Sequence, residues 1–115
     1  MKIMKKNVKC IKKAIDRCLD ISMKEHKKNN NVDKKLIKLT EEAGEFAAAY
    51  LMHIGSKRTT KTKEEVKDNL LEEGCDVCLV ALSIVMRHGF TIEQIAEKLQ
   101  LKMDKWENQV SAKKK

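Results

Sequence analysis

Two short acidic runs hold the residues of this chain best suited to chemistry: Glu41-Glu42-Ala43-Gly44-Glu45 and Glu72-Glu73-Gly74-Cys75-Asp76. Glu42 and Glu45 stand three apart, as do Glu73 and Asp76, so on helices each pair projects from one face. A single pair of this kind is ordinarily a solvated acidic face. Here Glu42 falls one turn after Leu39 and one before Phe46, and Asp76 precedes Val80 and Ile84 at helical spacing. The acids therefore lie on or beside apolar stripes. Carboxylates crowded there raise one another's pKa and cost free energy unless a positive charge sits among them. A divalent cation supplies that charge, and hard oxygen donors select magnesium, with manganese as a substitute, over zinc or copper. A ferritin-like di-iron centre would want Glu-x-x-His, and positions 45 and 76 are Glu and Asp, so iron is disfavoured. Gly44 and Gly74 each cost a helix about 1 kcal/mol against alanine, a local cost that fits a site. Magnesium held by carboxylates, with positions open for water and phosphate oxygens, is suited to cutting phosphoanhydrides.

The other chemically capable residues read more plainly. Cys75 and Cys78 form a CxxC inside a helix, with no second CxxC or paired histidines to complete a zinc site. Redox CxxC motifs sit at helix N-termini, so the thiols are expected to be buried small hydrophobes. His26, His53 and His88 fall near helix ends at unrelated spacings. Trp106, among charges on the last helix, suits either an interface or stacking on a base.

Four helices must position these groups. Ile3, Val8, Ile11, Ile15, Leu19 and Met23 give a stripe for a first helix over roughly 3–27. A second helix runs from an Asp33 cap to about Ile54, before Gly55, with a core stripe of Leu36, Leu39, Ala43, Phe46, Ala47, Tyr50 and Ile54. Thr62 with Glu65 is a capping-box signature opening a third helix, which Gly89 ends. That helix turns apolar on nearly every side after Asp76, which predicts a buried central position. Thr91 with Gln94 opens a fourth, running to about Gln109 along Ile92, Ile95, Ala96, Leu99, Met103 and Trp106.

Composition bounds the answer. A chain of 115 residues with 42% apolar and 37% charged residues fits one globular domain, neither disordered nor membrane-embedded. The absence of proline and only 3% aromatics argue against a β-sandwich or barrel. The expectation is a single all-α domain over 1–115, with a basic N-terminal helix at 1–28, a motif-bearing core at 33–109 and a basic tail at 110–115. The net charge is +8, but six lysines in 1–13 and three at 113–115 leave −1 for residues 14–112. The basic excess belongs to the ends, so nucleic acid is not the expected partner. No apolar segment follows the basic N-terminus as a secretory signal would, which predicts a cytoplasmic protein with reduced thiols and no membrane span.

Leu39-Thr40-Glu41-Glu42-Ala43-Gly44-Glu45 followed by Glu73-Gly74-Cys75-Asp76 resembles the EExxE…ExxD signature of the MazG-like all-α nucleoside triphosphate pyrophosphohydrolases. The resemblance covers roughly 33–109, including the closing Lys105-Trp106-Glu107. It implies a four-helix-bundle-like fold that oligomerises as a dimer or tetramer. It also implies magnesium-dependent cleavage of a nucleoside triphosphate to monophosphate and pyrophosphate. Carried over by position, Glu42, Glu45, Glu73 and Asp76 are the metal ligands, with Glu41 and Glu42 the catalytic acids. Lys102, Lys105 and Trp106 are the substrate-binding candidates on the last helix. Where members carry an aromatic one turn after the motif aspartate, this chain has Val80. Two alternatives stay open: a non-catalytic helical module whose basic ends contact nucleic acid or an acidic partner, and a different metal–carboxylate bundle.

Overall fold

The computed structural model describes the backbone of residues 2–28 and 32–113 and the side chains of 9–25 and 34–112. Four helices follow one another: α1 (Lys2–Lys28), α2 (Val32–His53), α3 (Lys63–Arg87) and α4 (Ile92–Lys113). No strand occurs among the described residues. None of the helices is long and apolar enough to cross a membrane. The fold class is all-α.

The helix ends form where the local chemistry calls for them. Thr62 caps α3 by accepting from the Glu65 N–H at 3.2 Å. Thr91 and Gln94 satisfy each other reciprocally, with Gln94 N–H donating to Thr91 Oγ1 (3.1 Å) and Thr91 N–H to Gln94 Oε1 (2.9 Å). Gly55 (φ 80°) and Gly89 (φ 83°) take the left-handed conformation that ends α2 and α3. Past Gly55, Ser56 N–H donates back to Leu51 O at 2.9 Å, closing the last turn of α2. Two boundaries differ from expectation. The second helix starts at Val32, so Asp33 lies inside its first turn and is not its cap, and the fourth continues to Lys113.

Helices α2 and α3 pack antiparallel: Lys35 meets Ser83, while Phe46, further along α2, meets Gly74, further back on α3. The first helix crosses α3, with Ser22 Oγ donating to Ser83 O (3.2 Å) and Glu25 paired to Arg87. The fourth leaves the end of α3 and, among the described residues, has no extensive packing against the other three.

The core is thinner than the stripes suggested. Buried apolar side chains among the described residues are Cys18, Ala49, Val66 and Met86. On α2 the buried face runs through Leu39, Glu42 and Ala49, while Leu36, Ala43, Phe46, Ala47, Tyr50 and Ile54, expected in the core, are exposed. The third helix is not buried all round, since Leu71, Leu79 and Val85 face outward. Ile11 and Met23 of the first stripe are exposed, and Ile3 and Val8 lie outside the described side chains. Of the cysteines only Cys18 is buried; Cys10 is an exposed free thiol, and so are Cys75 and Cys78, against the expectation that those two are buried. The physical reason is common to all. A stripe marks a face that wants to leave water, and one copy of this chain has too few helices in contact to cover every such face.

Candidate metal centre

The acidic runs meet across the α2–α3 contact. Because the helices are antiparallel, Glu42 on one faces Glu73 and Asp76 on the other, and one carboxylate oxygen from each lies within 4.8 Å of the others. Glu42 is 5% exposed, Glu73 half-buried and Asp76 exposed, so the group runs from the interior to the rim. Only one of Glu42's oxygens is compensated: Oε1 pairs with Lys38 Nζ at 3.0 Å, one turn back on the same helix. Glu42 Oε2 and Glu73 Oε2 are both buried with no hydrogen-bond partner.

The electrostatics follow from that crowding. Burial, first, and then the charges of Glu45, Asp76 and Glu42 push the Glu73 carboxyl above its ordinary value. A side-chain hydrogen bond to Glu45 works in the same direction, since two carboxyls bond only by sharing a proton. The hydrogen bond to Glu42 and that group's charge hold Lys38 above the usual lysine value. One ammonium thus faces several acids.

The donors are all carboxylate oxygens, the kind that hard divalent cations take. Octahedral oxygens at ~2.1 Å from a cation stand about 3–4 Å from one another, so oxygens lying within 4.8 Å of each other close on such an ion by small side-chain rotations. Two orphaned buried oxygens are a cost that a cation would remove. Glu42, Glu73 and Asp76 form the group, with Glu45 exposed beside it and in reach of Glu73. Glu41 points outward, 4.0 Å from Lys38 at the weak end of ion pairing, and is not among the three. Lys102, Lys105 and Trp106 are all exposed on α4, and among the described residues none has a hydrogen bond or ion pair to the acids. Within one chain the structure does not bring them to the cluster.

Sequence reasoning missed Lys38 as the countercharge of Glu42, although the i, i+4 spacing was readable. It also missed a polar clamp that fixes α1. Glu25 Oε1 accepts from Arg87 Nη2 (2.9 Å) and pairs with Lys35 Nζ (3.1 Å), and Lys35 also donates to Ser83 Oγ (3.2 Å). Arg87's side chain is only 1% exposed, and its Nε has no partner. Serines inside apolar stripes were the available signal; a pairing 62 residues apart in sequence left none. No family model, curated protein or solved structure matches the chain.

Proposed function

We propose that the chain is a cytoplasmic, magnesium-dependent nucleoside triphosphate pyrophosphohydrolase, releasing nucleoside monophosphate and pyrophosphate, and that it works as a homo-oligomer. The observation that carries this reading is the convergence of Glu42, Glu73 and Asp76 with two buried carboxylate oxygens left without partners. Glu42, Glu73 and Asp76 hold the cation, and Glu45 stands at its edge. When bound, magnesium (or manganese) offsets the charge of the triphosphate and of the transition state. Lys38 fixes the orientation of Glu42 through the 3.0 Å pair. Glu45, exposed beside the cluster, takes a proton from a water entering there, while Glu41, turned outward next to Lys38, acts only through that lysine. Lys102, Lys105 and Trp106 serve the phosphates or base only if a second copy presents them.

The test is a panel of canonical and modified nucleoside triphosphates assayed with magnesium, with products resolved as pyrophosphate or orthophosphate. Pyrophosphate release that stops in excess chelator is the expected result. Orthophosphate release, or full activity in chelator, would overturn it.

A further inference from the structure

We infer that the apolar groove between α1 and α3 is filled by α4 of a second copy, in a reciprocal exchange of helices. This gives the oligomer of the proposed function its surfaces; it rests on that oligomer alone and stands whether or not the chain hydrolyses nucleotides.

Three observations carry it. First, the groove is large, about 1010 Å³, and lined by side chains such as Ile11, Ile15, Phe46, Leu71, Leu79 and Leu82. Second, α4 is an amphipathic helix with no extensive packing against another helix among the described residues. Leu99, Met103, Trp106 and Val110 recur at three- and four-residue spacing on one face, all are exposed, and Trp106 is 68% so. Within proteins an amphipathic helix takes most of its stability from packing its apolar face rather than from propensity. Third, the areas call for a partner. A compact monomer of 13.2 kDa exposes about 6,400 Å². This chain exposes 9918 Å², an excess of about 3,500 Å². Obligate dimers bury about 2,000–5,000 Å² over both partners, so the excess suffices for one such interface. The radius of gyration, 17.1 Å against about 13 Å for a compact domain of this length, says the same.

A second copy is the economical occupant because one chain carries both unmatched halves, a groove and a helix. Residues 92–113 hold equal numbers of acidic and basic side chains, so the docking helix brings no net charge to the apolar groove.

Trp106 is the only tryptophan and therefore reports on its own burial. Sedimentation equilibrium of the full chain at micromolar concentration, with tryptophan emission read on the same samples, tests the inference. Runs in magnesium and in chelator keep this outcome separate from that of the metal reading. The parent is expected at twice 13.2 kDa with blue-shifted emission. Leu71→Glu in the groove and Leu99→Glu on α4 change side chains that are exposed in one copy. Each should give the single-chain mass and red-shifted emission while keeping a helical circular dichroism spectrum. Should glutamate lower helicity, Leu71→Ser and Leu99→Ser read the same mass. A parent of single-chain mass overturns the inference, whether Trp106 is exposed or buried by its own α4 folding back. So does a dimer that neither substitution weakens.

Discussion

Asp76 and Glu42 differ in what else they do, and that difference decides how each variant behaves. Glu42 pairs with Lys38, whereas Asp76 lies exposed at the rim beside Glu42 and Glu73 and has no ion pair among the described residues. Asp76→Asn therefore relieves repulsion and leaves the metal-free protein as stable as the parent or slightly more so. Magnesium should raise the melting temperature of the parent by linkage and that of the variant much less, with turnover falling by orders of magnitude. Thermal melts with and without magnesium, beside one activity assay, check it. Glu42→Gln should lose metal response equally but also lose the Lys38 pair, so its metal-free melt should fall below that of Asp76→Asn. Glu73 adds a pH dependence. Its carboxyl is raised in the fold, so the folded state holds a proton more tightly than the unfolded chain does. Its favourable contribution is complete below the ordinary value of 4.5 and is lost as pH rises through the higher folded value. In chelator, Glu73→Gln should remove that loss, so the parent and this variant should converge at acid pH and separate, with the variant ahead, as pH rises. Urea midpoints across the acid range measure it. Residue pairs three apart put each set of acids on one helix face, and the i, i+4 spacing of Lys38 and Glu42 was equally readable; the outward turn of Glu41 depends on which side of α2 packs, which spacing alone does not decide.

Helix ends are local chemistry, and they were legible for that reason. Thr62 with Glu65, and Thr91 with Gln94, act over three residues, and the structure has both caps. Thr91→Ala should cost about 1 kcal/mol through the lost cap, read as a lower urea midpoint with unchanged slope. Which face of each helix is buried is not local, and there the stripes misled. Leu36, Phe46, Tyr50 and Ile54 were assigned to the core because an apolar stripe does not say whether its own chain or another copy covers it. The clamp on α1 was the least legible element, since Glu25, Lys35 and Arg87 come from three helices. Glu25→Ala leaves Arg87 buried and unpaired. Its cost should be about 2 kcal/mol, between that of an exposed pair and a fully buried one, because Glu25 itself is half-exposed. Hydrogen exchange should speed up in α1 first while the α2–α3 pair stays protected; equal loss of protection in all three helices would show that the clamp is not what holds α1.

At the scale of the molecule, charge and apolar surface act in opposite directions, and salt separates them. Each copy carries +8, concentrated at its ends, so two copies repel at low ionic strength. Apolar contacts between α4 and the groove are indifferent to screening, or strengthened by salts that are excluded from protein surfaces. Raising salt from about 50 to about 500 mM shortens the screening length from roughly 14 to roughly 4 Å, by interpolation between tabulated values. Association of the copies should therefore tighten. The opposite is expected if the basic ends are the working surface, because binding to nucleic acid releases counterions and weakens steeply over the same range. Stability should follow association: a chain whose apolar faces are covered only by a second copy melts at a temperature that rises with protein concentration. Dilution series at the two salt concentrations, read by sedimentation and by the thermal midpoint, test both together. A midpoint independent of concentration, with mobility that salt leaves unchanged, would mean that the exposed stripes of α2, α3 and α4 stay in water as drawn.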